Sequence, residues 1–253
     1  MDQSLHKENS NDLWESLRAF TDARIAIGRT GHSVPLKESL NFRLTHAHAR
    51  DAVYSSLNIT ELTRALSKFN LPVIQLQSQV TSREEYLQRP DRGRKLNRDS
   101  STQLTALTLP ASDVAIILAD GLSARAIHDH ALLLLDLLIP SLRNSGFRLA
   151  PITVTEQSRV AIGDEIGSLL NARLSLLLIG ERPGLSSPNS LGAYITYAPA
   201  VGLTDESRNC VSNIRPEGLS YSSASEKIFF LITESIKRKL TGVYLKDQSG
   251  LIS

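Results

Sequence analysis

Two nearly continuous apolar runs constrain the fold of this chain more than any other feature. They are VAIILA at residues 114–119 and LSLLLI at residues 174–179. Such runs are typical of parallel strands that helices cover on both faces of a sheet. Weaker strand patterns alternate with helical patterns around them: strands at residues 72–77, 148–154 and 193–197, helices at residues 123–139, 160–171 and 224–240. The alternation predicts an α/β fold with a doubly wound, mostly parallel (Rossmann-like) sheet.

A different pattern precedes the sheet. Apolar residues recur at helical spacing in residues 11–20, 35–57 and 60–69, and a short extended run, residues 23–31, separates the first two segments. This spacing predicts a small N-terminal helical layer. We therefore expect two units, an N-terminal tail with a helical subdomain at residues 1–70 and an α/β domain at residues 71–253.

Composition excludes several classes of protein. A chain of 253 residues can bury a full core, and its single cysteine, Cys210, allows neither an internal disulfide nor a cysteine-based zinc site. The net charge of +2 gives no reason to expect nucleic acid as a partner. The most apolar stretch, residues 131–139, contains Asp136 and falls short of the ~20 residues that a membrane span needs. The first residues lack the apolar core of a signal peptide. We expect a soluble, cytoplasmic protein without a membrane partner.

Two strand ends carry the best candidates for a binding site. Asp120 and Ser123 follow the first apolar run and lead into a helix, whose N-terminus can bind an anion. The alternative is that both side chains only cap that helix. Glu181 follows the second run, with Gly180 and Gly184 leaving room for a ligand near the backbone. Its alternative role is an ion pair with Arg182 or another neighbour.

Other patterns point away from common enzyme chemistry. The chain has neither a Gly-x-Gly-x-x-Gly motif after a strand nor a phosphate-binding loop with lysine, and Ser123 lacks the nucleophile elbow. The histidine pairs at 46/48 and 128/130 have the wrong helical spacing for a metal clamp. The charged stretch at residues 83–98 is typical of a solvated, salt-bridged face. Cys210 falls in a polar segment that reads as a loop, where a lone cysteine is most often a small apolar residue.

Taken together, six segments resemble the small subunit of ethanolamine ammonia-lyase, an adenosylcobalamin-dependent enzyme. They occur in the family's order and cover about residues 20–240: residues 23–31, 47–53, 86–94, 119–123, 180–185 and 208–214. Several motifs in register are far more specific than any one of them. The chain is accordingly identified as a member of that family.

The resemblance implies a lyase that converts ethanolamine to acetaldehyde and ammonia. It assigns the substrate site to a large barrel subunit, with which this chain forms a hetero-oligomer, and makes the α/β domain at residues 71–253 a cobalamin-binding domain. The expected cofactor contacts are Val160, Glu181 and Cys210; no catalytic residue and no metal ligand are expected in this chain. The Asp-x-His-x-x-Gly motif, which replaces the cofactor's own base with histidine, is absent. We therefore expect adenosylcobalamin with its own base on cobalt.

Two readings of the function follow. The first is the corrinoid-binding small subunit, located in the cytoplasm either free or inside a bacterial microcompartment. The second is a standalone α/β protein that binds a nucleotide or anion through Asp120, Ser123 and the helix N-terminus. The two differ in whether a barrel-type partner accompanies the chain.

Overall fold

A six-stranded sheet lies at the centre of residues 15–21 and 23–246, which the computed structural model describes. The strands are β1 (Val73–Gln77), β2 (Ser112–Ala119), β3 (Ile152–Glu156), β4 (Ala172–Gly180), β5 (Leu191–Tyr197) and β6 (Asn209–Ile214). Their order across the sheet is β1-β3-β2-β4-β5-β6. The two apolar runs form β2 and β4, which pair with each other in parallel at the middle of the sheet.

The helical patterns of the sequence also form helices. The helices of the described residues are α1 (Leu36–Val53), α2 (Ile59–Leu66), α3 (Arg83–Gln88), α4 (Arg98–Thr105), α5 (Ala124–Ala126), α6 (Leu132–Asn144), α7 (Ile162–Leu169) and α8 (Tyr221–Arg238). Two of them, α3 and α4, correspond to no predicted helix. A π-helical turn, Ile127–Ala131, joins α5 directly to α6. The first predicted helix is a 3-10 helix at Glu15–Phe20, and residues 11–14 of that prediction lie outside the described residues.

The α/β class is confirmed, but the sheet is mixed. Strands β1, β3, β2 and β4 run parallel, whereas β5 is antiparallel to both β4 and β6. The reason lies in the connections, because a parallel neighbour needs a crossover of a dozen or more residues, usually a helix. The segments after β4 and β5, residues 181–190 and 198–208, contain no α-helix. The prediction of a doubly wound, mostly parallel sheet is therefore too specific.

The core occupies both faces of the sheet. On one face, β2, β3, β4, β5 and β6 pack against α2, α6 and α8. On the other face, the alternate side chains of β2 and β4, such as Ile117 and Leu177, pack against α4 and α7. Burial on both faces explains why β2 and β4 read as continuous apolar runs.

The two N-terminal helices differ in their packing. Helix α2 inserts Leu62 and Leu66 into the core against the sheet. Helix α1 buries only Ala52 among its 18 residues. Within the described ranges, no helix combines the length and the apolar character that a membrane span requires.

Candidate functional site

A crevice opens where the parallel strands end, on the side of the sheet that α7 covers. It has a volume of about 420 Å³ and is lined by apolar and polar side chains, among them Tyr86, Arg159, Val160, Ile179, Glu181 and Tyr194. In sheets of this kind, ligands bind beyond the carboxyl ends of the strands. We call this cavity the strand-end crevice.

The floor of the crevice is made of backbone, because two strand ends approach each other closely. The Leu122 amide donates a hydrogen bond of 3.0 Å to the Gly180 carbonyl. A Cβ at Gly121, whose φ is +57°, would lie 2.2 Å from that same carbonyl oxygen. Only glycine fits here, since the backbone is left-handed and the approach leaves no room for a side chain.

Glu181 leaves β4 and turns its side chain across β5. Its Oε2 accepts hydrogen bonds from Ser190 Oγ at 2.7 Å and from the Asn213 amide at 3.0 Å. A Cβ at Gly192 would lie 3.0 Å from the Glu181 Oε1 atom, so this glycine makes room for the carboxylate. The ion pair with a neighbouring arginine, the alternative role, does not occur among the described residues. The carboxylate instead joins the ends of β4, β5 and β6 and borders the crevice.

Val160 reaches the crevice from the turn between β3 and α7. We call residues 157–160 the wall turn. Ser158 and the Gln157 backbone lie behind it, Arg159 and Val160 border the crevice, and α7 begins two residues later at Ile162. The sequence prediction that Val160 opens a helix is therefore close to the observed start.

Cys210 lies on strand β6, not in a loop as its polar surroundings indicated. The strand escapes sequence analysis because it is an edge strand in which only Val211 and Ile214 are buried. Cys210 pairs across the strands with Tyr194 of β5. Although Cys210 is exposed overall, partial desolvation of its thiol, helped by the Glu181 carboxylate, raises the pKa of Cys210. The thiol therefore stays protonated at neutral pH, which suits a contact better than a nucleophile.

Tyr194 connects the predicted site residues and was not predicted. It lines the crevice beside Val160 and Glu181, and its hydroxyl interacts with the Cys210 thiol. Burial raises the pKa of Tyr194, so the hydroxyl remains a hydrogen-bond donor. The strand prediction over residues 193–197 contained the residue, but nothing in the sequence distinguishes it from other half-buried tyrosines.

Asp120 and Ser123 do not form an anion site. Both Asp120 oxygens accept hydrogen bonds from backbone amides, those of Gly121, Gln157 and Ser158, at 2.9–3.0 Å. Ser123 is fully buried and its side chain makes no cap hydrogen bond to the following helix. The capping alternative is wrong as well, since Asp120 binds the wall turn instead of the helix. The physical cause is burial, because a buried carboxylate takes the nearest available donors.

The charged stretch at residues 83–98 is only partly a solvated face. Arg89 and Asp91 form an exposed ion pair, as that interpretation expects. Tyr86, however, is fully buried, with its hydroxyl donating to the Ser158 carbonyl at 3.1 Å. Arg83 is nearly buried beside it. Sequence analysis missed this cluster because tertiary contacts, not local charge, decide which side of α3 is covered.

Comparison with known proteins places most of the chain in one protein family. Residues 11–246 match the family model described as ethanolamine ammonia-lyase light chain (EutC). The ethanolamine ammonia-lyase small subunit of Azotobacter vinelandii is 51% identical over 239 residues, which cover 93% of this chain and 88% of the relative. The protein of the same name from Xanthomonas campestris pv. campestris is 50% identical over 241 residues, covering 94% and 89%. One from Pseudomonas putida strain W619 is 49% identical over 239 residues, covering 93% and 88%. The chain belongs to the ethanolamine ammonia-lyase light chain family.

Proposed function

We propose that this chain is the corrinoid-binding small subunit of an adenosylcobalamin-dependent ethanolamine ammonia-lyase. The enzyme releases acetaldehyde and ammonia from ethanolamine. The observation that carries the proposal is the family match over residues 11–246, together with a crevice that Val160 and Glu181 line and Cys210 adjoins through Tyr194. Val160, Glu181 and Cys210, the contacts that the family resemblance implies, approach one strand-end edge.

The chemistry of the crevice suits a corrinoid. A corrin is a broad ring with an apolar face and a rim of amide groups. Val160 and Ile179 offer apolar contact, while Glu181 offers an acceptor for amide N–H groups. Gly192 keeps the space beside that carboxylate free of a side chain. When bound, the cofactor supplies the radical chemistry, and the residues of this chain orient it and exclude water.

The small size of the crevice supports a site shared with a partner. A cavity of about 420 Å³ encloses only part of a molecule as large as adenosylcobalamin. The rest of the cofactor must then face another surface, which we assign to the large subunit. We further propose that the cofactor keeps its own base on cobalt and receives no cobalt ligand from this chain. Assembly in the open cytoplasm or inside a microcompartment stays a prediction.

Helix α1 is our candidate for the surface that docks the large subunit. Leu36, Leu40 and Leu44 recur every four residues, a stripe along one side of the helix, and all three are exposed. Soluble proteins rarely leave a contiguous apolar patch uncovered, and such patches mark interaction sites. The relatives carry the name small subunit, so a larger subunit is the occupant that the family provides. This supports a role of residues 1–70 in docking.

Substitution of Glu181 tests the cofactor site. Glu181→Ala in the reconstituted complex with the large subunit should raise the half-saturating adenosylcobalamin concentration about tenfold to a hundredfold, because a hydrogen bond to a charged acceptor is worth about 1.5–3 kcal/mol. Glu181→Gln keeps the shape and one acceptor, and we expect an intermediate effect. Turnover as a function of cofactor concentration is the measurement.

The matched control is Glu226→Ala, on the exposed side of α8. It should leave half-saturation unchanged. Gel filtration and unfolding curves for each variant show whether the complex and the fold remain intact. An intact Glu181→Ala complex with unchanged half-saturation would remove Glu181 from the cofactor site.

A further inference from the structure

Arg83 makes an unusual set of contacts for a residue in a charged surface stretch. Its Nε donates to the Val53 carbonyl at the end of α1, at 2.6 Å. Its Nη1 donates to Gln157 Oε1 at 3.2 Å and lies 3.6 Å from Asp120 Oδ2. One guanidinium group thus joins the last residue of α1, the end of β2 and the wall turn. Only 11% of the Arg83 side chain is exposed, so these contacts are shielded from water.

Asp120 holds the other side of the same wall turn. Its Oδ2 accepts from the Gln157 amide at 2.9 Å, and its Oδ1 accepts from the Ser158 amide at 3.0 Å. Gln157 has a φ of +52°, a left-handed conformation that a residue with a side chain adopts only when its surroundings hold it there. Asp120 holds it through the backbone amide and Arg83 through the side chain, while Ser78 Oγ donates to the Gln157 carbonyl at 2.7 Å.

A stack of three side chains extends this support to the crevice. The Cζ atoms of Arg83 and Arg159 lie 4.4 Å and 4.0 Å from the centre of the Tyr86 ring. Arg159 also donates from Nη2 to the Tyr86 carbonyl at 2.9 Å. Arg159 and Val160 are the two wall-turn residues that line the crevice. Their positions therefore depend on the same cluster.

We propose that Arg83 and Asp120 are positioning residues, which hold the wall turn in the shape that the cofactor requires and tie it to the end of α1. The inference rests on the proposed function for the identity of the ligand. The inference goes beyond the proposed function because it assigns a role to Arg83 and Asp120. These two buried charged side chains contact neither the expected ligand contacts nor the exposed leucine stripe of α1. Arg83 thereby connects the helix proposed to dock the large subunit with the wall of the cofactor site.

The test uses Arg83→Met and Arg83→Lys in the complex with the large subunit. Methionine keeps the apolar stem but removes every donor, and we expect the half-saturating adenosylcobalamin concentration to rise about tenfold. Turnover at saturating cofactor should stay within about twofold, because the reacting groups are untouched. Lysine keeps the positive charge near Asp120 and should recover part of the affinity. A general loss of structure would lower turnover at saturating cofactor as well. The positioning role instead predicts weaker cofactor binding with nearly unchanged turnover.

Arg89→Met is the control, because this arginine lies on the same stretch and forms only an exposed ion pair. Hydrogen exchange of residues 157–160 in the full chain gives an independent readout that needs neither cofactor nor partner. We expect faster exchange there in Arg83→Met than in Arg89→Met. Unchanged exchange, or unchanged half-saturation in an intact complex, would overturn the positioning role. If wild-type turnover showed no saturable dependence on adenosylcobalamin, the proposed function would fail, while the exchange result would still decide the role of Arg83.

Discussion

Helices α1 and α6 have similar apolar side chains but opposite environments. Helix α6 buries Leu134, Leu135, Leu138, Ile139 and Leu142 against the sheet and α8. Helix α1 is longer, yet it buries Ala52 alone and leaves Leu40 and Leu44 more than half exposed. Burial of apolar surface, not the apolar residue itself, is what stabilises a helix in a folded chain.

The difference separates two uses of leucine in one molecule. In α6 the leucines serve the fold of this chain, since their contacts lie within it. In α1 the leucine side chains bury little apolar surface within this chain. Their presence therefore points to a contact with another molecule. The comparison can be tested by removing the same atoms from both helices and measuring stability and assembly separately.

The largest effect is expected for Leu138→Ala in α6. Leu138 is fully buried in the core, and removing a buried leucine side chain typically costs about 2–5 kcal/mol of unfolding free energy. Urea unfolding of the isolated chain measures this loss. Leu133→Ala on the same helix, where the side chain is 49% exposed, is the matched control and should change stability far less. Equal losses at both positions would show that α6 is not packed as described.

The same contrast explains how much of the fold the sequence predicts. The runs that form β2 and β4 are read correctly because strands buried on both faces have an unambiguous composition. Strand β6 is missed because an edge strand buries few side chains and alternates imperfectly. The antiparallel direction of β5 depends on the helix-free connections before and after it, and no local sequence pattern indicates that direction. Helices α1 and α6 are both predicted, but their different environments are invisible to helical spacing alone.

The candidate site divides in a similar way. Glu181 stands out in the sequence because a carboxylate follows an apolar run after a single glycine, Gly180, and a second glycine, Gly184, comes three residues later. The Arg83, Asp120 and Tyr86 cluster does not stand out, because its members come from two separate segments, α3 and the end of β2, and meet only in the folded chain. A pattern of charged residues indicates that a segment can be exposed to solvent. It does not indicate which of its side chains the rest of the fold will bury.

A smaller effect concerns the histidines of the two helical regions. His130, in the π-helical turn before α6, is 5% exposed and its Nδ1 lies 2.8 Å from the Tyr221 hydroxyl. Desolvation lowers the pKa of His130, so the folded chain favours the neutral ring. Below pH of about 6.5, where an unfolded histidine takes up a proton, the unfolded state binds more protons than the folded state. Stability should therefore fall as the pH falls from that value through the lowered pKa of the folded state.

His130→Gln should reduce this pH dependence, because glutamine does not titrate. The measurement is the urea midpoint between pH 7.5 and pH 5. His46→Gln on α1, where the side chain is exposed, is the control and should keep the wild-type slope. A slope that changes equally in both variants would mean that the pH dependence does not come from burial of His130.

The smallest effect on the isolated chain is expected for Leu40→Ala in α1. Leu40 is 53% exposed, and alanine is the better helix former, so the unfolding free energy should change by no more than about 0.5 kcal/mol. Assembly with the large subunit should respond differently. Burying a leucine side chain is worth about 1.5–3 kcal/mol, so its loss should weaken association at least about tenfold.

Two measurements on the same variant decide the question, urea unfolding of the chain alone and titration of the chain with the large subunit. Lys37→Ala, on the same helix outside the leucine stripe, is the control for a general effect on α1. If Leu40→Ala lowered stability as much as Leu138→Ala does, α1 would be part of this chain's own core. If it changed neither stability nor association, the exposed stripe would have no role in docking, and the large subunit would have to meet another surface. A loss of association alone is the result that the contrast between α1 and α6 requires, because an apolar side chain stabilises only the state in which it is buried.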